Sequence, residues 1–222
     1  NKLKPANKQF DFLFSIANGE ILSPEVLQYP RFYAINYHNS PLPKYAGLYA
    51  TSWAIYHHEQ LHAITWNIMQ DKIDTGDILE QNWFAIEEEE TALSLNLKCY
   101  EQAYQSFNLL VDKLARKELS IFPQSLHGRS YFGLKNKPKN FGFISWDDTA
   151  SSIERLYRAF TLGHYLNEIA SPKIIVNGNV LIVKLLKKSN ISSHKKPGRV
   201  IALSENHLQI STKTENIIIS KL

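Results

Sequence analysis

An amide and an imidazole side chain lie two residues apart in this chain, at the end of a predicted strand, where the ligand sites of α/β proteins often lie. Asn36 and His38 end a predicted apolar strand, and a loop with two prolines follows. Residues i and i+2 of a strand share one face of a sheet, and open α/β sheets bind ligands at the carboxyl ends of their strands. An amide N–H can stabilise an oxyanion, and an imidazole can transfer protons near neutral pH. The simpler interpretation is that both side chains only cap the loop.

The pattern around these residues is specific. Residues 36–43 read Asn-x-His-x-Ser-x-Leu-Pro, and Asp74-Thr75-Gly76 follows downstream. This combination resembles the active-site pattern of the folate-dependent formyltransferases. The longer stretches 34–54 and 91–100 look most like the formylation domains that open some nonribosomal peptide synthetases. The resemblance extends from Phe10 to the C-terminus.

The resemblance implies an enzyme that moves a formyl group from 10-formyltetrahydrofolate to a primary amine. In that reaction Asn36 would stabilise the oxyanion, His38 would transfer protons, and Asp74 would fix the tautomer of the imidazole. The resemblance also implies folate binding by Glu20, Ile21, Leu22, Ser40, Pro41, Leu42, Pro43 and Asp74. It implies no metal.

The amine acceptor is open at this point. We expect an amino acid on a carrier protein, with initiator methionyl-tRNA and an amino sugar as alternatives. Ala46-Gly47 stands where methionyl-tRNA formyltransferases usually have Arg-Gly, which weakens the tRNA alternative. Asn67 stands where many relatives have His, and Pro41 replaces the Leu of the usual Ser-Leu-Leu-Pro.

The start of the chain is expected to be incomplete relative to this family. The formyltransferases carry roughly 70 more residues before the first strand, the size of two βαβ units. This expectation leads to an alternative interpretation in which the chain is not an enzyme. The chain would then be a truncated relative that binds folate or a partner and has no activity.

A second motif suggests metal chemistry. Residues 58–62 read His-Glu-Gln-Leu-His, the H-E-x-x-H pattern that binds zinc when both histidines lie on one helix. The residues that follow predict a strand, so His62 is expected at or beyond the helix end. We therefore interpret His58 and His62 as surface histidines of a helix-to-strand turn. The acidic loop 71–77 lacks the spacing of a calcium-binding EF-hand.

Hydrophobic periodicity predicts the elements that position these residues. Strands are predicted at 10–16, 31–38 and 63–69, and helices from Ser23, over 51–57 and over 91–118. The longest helix carries an apolar stripe that is expected to pack on the sheet, formed by Leu93, Leu97, Tyr100, Tyr104, Phe107, Val111 and Leu114. Beyond Pro172 the pattern changes to short β runs, with Asn177-Gly178 as a hairpin signal.

The predicted architecture is therefore α/β. A partial Rossmann-like parallel sheet forms the formyltransferase domain over residues 1–122, a linker covers 123–142, and a small OB-like β-barrel covers 143–222. The barrel is expected because this family has one there.

Composition places the chain among globular proteins of a reducing compartment. It has 222 residues, 44% apolar and 21% charged, which is an ordinary balance. The single Cys99 excludes an internal disulfide, and no apolar run approaches the ~20 residues of a membrane span, so we expect a cytoplasmic protein. Charge is uneven, with net −5 over residues 1–122 and net +9 over 123–222. The basic half predicts either an anionic acceptor or only a solvated lysine-rich surface.

Overall fold

The computed structural model describes residues 10–165 and 167–222. By packing, the chain divides into two units that interleave along the sequence. The first contains residues 10–50, 60–87 and 95–133, and the second contains residues 51–59, 88–94 and 134–222. The domain boundaries predicted at 122 and 142 remain predictions.

The helices and strands follow one another in two groups. The first group is β1 (Phe12–Ser15), α1 (Pro24–Leu27), β2 (Tyr33–His38), β3 (Ala46–Gly47), α2 (Ala50–Tyr56), β4 (Leu61–Ile68), β5 (Ile78–Ala85) and α3 (Ala92–Arg116). The second group is β6 (Tyr131–Phe132), a 3₁₀ turn (Lys139–Gly142), α4 (Ala150–Phe160), β7 (Lys173–Val176), β8 (Asn179–Ile182), β9 (Leu185–Lys188), β10 (Val200–Leu203), β11 (Leu208–Ile210) and β12 (Ile217–Lys221). None of the helices in the described part of the chain is long and apolar enough to cross a membrane.

The sheet of the first unit has the strand order β1-β2-β4-β5 and is mixed. β1 and β2 are parallel, as predicted, with Ser15 opposite Asn36. β4 runs antiparallel to both of its neighbours, with Asn67 opposite Asn36. The prediction of an all-parallel sheet is therefore wrong for β4. Only residues 69–77 connect β4 to β5, which is too short for the crossover of a dozen or more residues that parallel pairing needs.

The predicted long helix is present as α3, and its buried face matches the predicted stripe only at Leu114 and, in part, at Phe107. Leu97, Tyr100 and Tyr104 of that stripe are exposed. The buried face consists of Leu95, Cys99, Ala103, Ser106, Leu110 and Leu114. The small residues in its middle leave room for the large rings of the sheet, and Ser106 Oγ accepts a 2.9 Å hydrogen bond from Trp66 Nε1. The stripe was misplaced because serine and alanine do not count as strongly apolar positions.

Side chains alternate along β2, so that one strand serves both the core and the site. Ile35 and Tyr37 belong to the core cluster that α3 covers, and Asn36 and His38 therefore point to the opposite face. Burial raises the pKa of the Tyr37 phenol above its usual range, with smaller contributions from Cys99 and Tyr100. Tyr37 is thus a neutral core residue at physiological pH.

The second unit is rich in β-structure, as the sequence predicted. β10, β11, β12 and β9 form an antiparallel sheet in that order, and β7 and β8 form a hairpin. The hairpin turns at Asn177 and Gly178, which have φ angles of 49° and 80°. Within this unit α2 packs on α4, where the rings of Trp53 and Phe160 lie 5.7 Å apart. An OB-like closure of these strands remains a prediction.

The structure separates the histidines of the H-E-x-x-H pattern into different elements. His58 follows the end of α2 and has a φ of 62°, so the helix does not continue to the second histidine. His62 lies in β4, is fully buried and has its Nε2 2.9 Å from the Asn39 carbonyl oxygen. The prediction that His62 is a surface residue is wrong, because its ring packs edge-on against Phe84 inside the first unit. Within residues 10–165 and 167–222, no group of three or more His, Cys, Asp or Glu residues is arranged to hold a metal.

Candidate active site

A cavity of about 400 Å³ opens in the first unit where β1 and β2 end. Its wall is formed by the ends of these strands, by the loops after β1, β3 and β4, and by Tyr100 and Tyr131. The volume lies in the range of small-molecule sites. Asn36 and His38 both line it, so the strand end predicted from the sequence is the edge of a pocket.

The structure brings the three predicted catalytic residues together in this cavity. His38 Nδ1 lies 3.7 Å from Asp74 Oδ2, and both side chains are only 8% exposed. Asn36 Nδ2 lies 3.5 Å from the other oxygen, Asp74 Oδ1. Asp74 thus contacts both side chains that β2 presents on this face. The backbone N–H of Gly47 donates a 2.8 Å hydrogen bond to Asp74 Oδ2, which fixes the orientation of the carboxylate.

Hydrogen bonding also assigns the tautomer of His38. Its Nε2 lies 2.9 Å from the carbonyl oxygen of Tyr45, and a carbonyl oxygen only accepts, so Nε2 carries a hydrogen. Nδ1 is then the nitrogen that can gain or release a proton. That nitrogen faces Asp74 and the cavity. The arrangement suits a group that moves protons at a ligand.

Asn67 contributes to the site in a way that the sequence did not predict. Its side chain is 2% exposed, its Oδ1 accepts from Asn36 Nδ2 at 3.4 Å, and its Nδ2 donates to the Ile68 carbonyl at 3.2 Å. The Nδ2 group of Asn36 is therefore shared between an oxygen of β4 and an oxygen of the loop that follows β4, at long distances of 3.4 and 3.5 Å. The sequence identified Asn67 only as a departure from the His of many relatives.

The proline loop lies outside the wall of this cavity. Ser40, Pro41, Leu42 and Pro43 were predicted to touch folate, but none of them lines the cavity. Ser40, Pro41 and Leu42 are buried, and the Leu42–Pro43 peptide bond is cis. Thr65 Oγ1 donates to the Ser40 carbonyl at 2.7 Å, and Gln81 Nε2 donates to the Leu42 carbonyl at 3.0 Å. The loop faces the sheet because β4 and β5 supply the partners of its backbone, so it supports the site from beneath.

The other predicted folate contacts do line the cavity. Glu20, Ile21 and Leu22 form part of its wall, on a turn in which Asn18 Oδ1 accepts from Glu20 N at 3.1 Å. Tyr100 and Tyr131 are among the wall residues that the sequence did not predict. Tyr100 was interpreted as core but is 44% exposed, and Tyr131 lies in the predicted linker, where nothing in the sequence marked it.

Comparison with family models decides the family. The model described as "Formyl transferase" matches residues 4–111, and the model described as "Formyl transferase, C-terminal domain" matches residues 137–222. This chain belongs to the formyltransferase family. The family predicted from residues 36–43 and 74–76 is confirmed, whereas closeness to formylation domains of nonribosomal peptide synthetases is not shown.

Curated formyltransferases and solved structures extend this likeness over most of the chain. The chain is 32% identical over 221 residues to the bifunctional polymyxin resistance protein ArnA of Wigglesworthia glossinidia brevipalpis, covering 98% of this chain and 31% of ArnA. It is 28% identical over 202 residues to the methionyl-tRNA formyltransferase of Agathobacter rectalis, covering 91% of this chain and 63% of that enzyme. The chain thus spans less than two thirds of either relative.

A solved structure supports the fold. The N-formyltransferase of Helicobacter canadensis, in complex with folinic acid and dTDP-3-aminofucose, superposes with a TM-score of 0.71 at 22% identity. The match covers 94% of this chain and 73% of that one. The α/β domain followed by a β-rich C-terminal domain is therefore the arrangement of a known formyltransferase.

Proposed function

We propose that this chain transfers a formyl group from 10-formyltetrahydrofolate to a primary amine. One observation carries the proposal. Asn36 and His38, which the formyltransferase pattern predicts to be catalytic, both contact Asp74 at the wall of a ligand-sized cavity. The cavity wall also includes the turn at residues 18–22, whose backbone groups suit the polar edge of a pterin.

Each residue has one task in this reaction. The folate supplies the formyl carbon, which the nitrogen of the acceptor amine attacks. Asn36 Nδ2 donates to the formyl oxygen as negative charge develops on it. His38 Nδ1 takes the proton that the amine loses as the new C–N bond forms, and returns a proton to N10 of folate as the old bond breaks. Asp74 keeps the imidazole oriented through both proton transfers. The products are a formamide and tetrahydrofolate.

The identity of the amine acceptor is the part of the proposal for which alternatives remain. The curated relatives support a methionyl-tRNA acceptor, and the Helicobacter canadensis structure supports an amino sugar nucleotide. Neither supports the aminoacyl carrier protein that the sequence led us to expect. The pattern around Ala46 and Gly47 lacks the Arg of methionyl-tRNA formyltransferases, so the acceptor has to be identified by assay.

The test supplies 10-formyltetrahydrofolate together with each acceptor in turn. Formation of tetrahydrofolate and of the formylated acceptor should be measured for initiator methionyl-tRNA, for an amino sugar nucleotide and for an aminoacyl carrier protein. Acceptor-dependent turnover with one of them is expected. If the chain binds folinic acid but turns over none of the three, it is an inactive folate-binding module and the proposal fails.

Charge reversal tests whether the basic part of the chain, residues 123–222, attracts the acceptor. Lys195, Lys196 and Arg199 surround a surface depression of about 450 Å³. Lys195→Glu combined with Lys196→Glu should raise KM for an anionic acceptor several-fold at low salt, because long-range attraction between exposed charges is screened beyond about 8 Å at physiological salt. The folate KM should stay unchanged. Steady-state kinetics at two ionic strengths make the comparison. If KM for the acceptor does not change, this basic surface has no part in binding the acceptor.

Gly47→Ala tests the backbone donor that holds Asp74. Gly47 has a φ of 93°, and an added Cβ would collide with the carbonyl oxygen of Phe132. The loop must then move, and a displacement of about 1 Å near reacting groups can cost about 100-fold in rate. We expect a loss of that size in kcat. Gly178→Ala is the matched control, because Gly178 also has a positive φ, of 80°, but faces open space. It should retain full activity; an equal loss in both variants would contradict the role given to Gly47.

A further inference from the structure

Residues 124–132, here called the strap, pack beside the cavity although the sequence predicted them to be linker. Most of the strap is exposed, and Tyr131 is its contribution to the cavity wall. Its hydrogen bonds are directed at two loops. One loop contains Tyr45, whose carbonyl is the partner of His38 Nε2, and the other contains Asp74.

The first set of contacts holds Tyr45. Ser130 Oγ accepts a 2.8 Å hydrogen bond from the backbone N–H of Tyr45. On either side, Ser130 N donates to the Pro43 carbonyl at 3.3 Å and Ala46 N donates to the Ser130 carbonyl at 3.0 Å. The rings of Tyr45 and Phe132 stack with centroids 5.7 Å apart. Tyr45 has a φ of 58°, which is unfavourable for a bulky residue and persists only where surrounding contacts impose it.

The second set of contacts holds the Asp74 loop. Arg129 Nη2 donates to the Ile73 carbonyl at 3.0 Å, one residue before Asp74. Gln124 Nε2 donates to the Gly76 carbonyl at 2.6 Å, two residues after it. Asp74 itself has a φ of 54°. The guanidinium of Arg129 lies 5.3 Å from the centre of the Tyr131 ring, so this contact is continuous with the cavity wall.

We infer that Arg129 and Ser130 are positioning residues that act on His38. Ser130 fixes the carbonyl that receives the Nε2 hydrogen, and Arg129 fixes the loop that carries the carboxylate facing Nδ1. The groups that face the two nitrogens of one imidazole are therefore both positioned by a single segment. A strap that served only packing would not need side-chain hydrogen bonds to both loops. The kinetic part of this inference rests on the proposed function, and the spectroscopic part does not.

The first experiment observes the imidazole directly. The chain is labelled with ¹⁵N-histidine, and the His38 signals are assigned by their loss in His38→Gln. Ser130→Ala and Arg129→Ala should each shift or broaden the His38 ring signals, whereas Ser130→Thr, which keeps the hydroxyl, should restore them. His127→Ala is the matched control, since its exposed side chain lies on the same segment. It should leave the His38 signals in place.

The second experiment measures kcat and folate affinity in the same variants. Ser130→Ala and Arg129→Ala should lower kcat by about 10-fold or more, because misplaced catalytic groups reduce rate steeply. The Kd for folinic acid should change less than twofold and the binding stoichiometry should match that of the wild type, which a general loss of folded protein would not allow. Ser130→Thr should recover most of the kcat.

The outcomes separate the two proposals. If wild-type protein has no turnover, the proposed function fails. The His38 ring signals alone then test whether Arg129 and Ser130 position the imidazole. If neither Ser130→Ala nor Arg129→Ala alters the His38 signals, the inference is overturned. It is also overturned if His127→Ala disturbs the His38 signals as much as Ser130→Ala does. A third contrary result would be a Ser130→Thr variant that has the wild-type thermal midpoint but does not show the wild-type His38 signals.

Discussion

His38→Gln should lower kcat for formyl transfer by about 10²–10⁴-fold, the range over which a positioned acid–base group accelerates a reaction. Glutamine approximates the size of the imidazole and can still donate toward the Tyr45 carbonyl, but it cannot carry a proton between the amine and folate. His38 is 7% exposed, so a residue of similar size is needed to avoid a cavity in the loop beneath it. Initial rates with 10-formyltetrahydrofolate and the acceptor identified by assay provide the measurement.

The control for this variant is His127→Gln. His127 is exposed and lies on the strap, so its loss removes a histidine near the site without removing a cavity contact. It should keep the wild-type kcat. Both variants should show the thermal midpoint of the wild type within a few degrees. Wild-type kcat in His38→Gln would remove His38 from the reaction.

Asn36→Ala should lower kcat by about 10²–10³-fold, as loss of one oxyanion donor does elsewhere. The expected effect lies in kcat because the Asn36 N–H binds charge that develops only in the transition state. Alanine also frees Asn67 Oδ1 and Asp74 Oδ1 from the amide that now lies 3.4 and 3.5 Å away. Steady-state kinetics should therefore show a nearly unchanged KM for folate.

Asn36→Asp sharpens this test at constant size. A carboxylate at position 36 would face Asp74 across about the same distance, and like charges this close repel. The variant should be no more active than Asn36→Ala. Asn108→Ala, on the exposed side of α3, is the neutral control and should match the wild type. Activity in Asn36→Asp above that of Asn36→Ala would argue against an oxyanion donor at this position.

The parts of the site that the sequence predicted well depend on local geometry. The i, i+2 spacing of Asn36 and His38 determines that they share a face, and a strand end determines that this face meets a cavity. The folate contacts at Glu20, Ile21 and Leu22 were implied by the family resemblance. Asp74 required the family resemblance, because nothing local relates it to β2.

The features that the sequence did not predict depend on partners distant in sequence. Ser40 and Leu42 are buried because Thr65 and Gln81, on two later strands, bond to their carbonyls. The buried face of α3 includes Ser106, whose hydroxyl accepts from Trp66 of β4, a partner that the sequence of the helix does not reveal. The strap carries no sequence signal, since its side chains bond to backbone N–H and carbonyl groups of other loops, which any residue there would provide.

The alternation along β2 has a consequence for how this chain can change over evolution. Ile35 and Tyr37 belong to the core cluster, and Asn36 and His38 line the site. A one-residue insertion or deletion before His38 would exchange the two sets, placing an amide and an imidazole against α3 and aromatic or aliphatic groups in the cavity. No compensating substitution at a single position could repair both faces. New acceptor specificities should therefore arise through length changes in the loops after β1 and β3, while β2 keeps a fixed length.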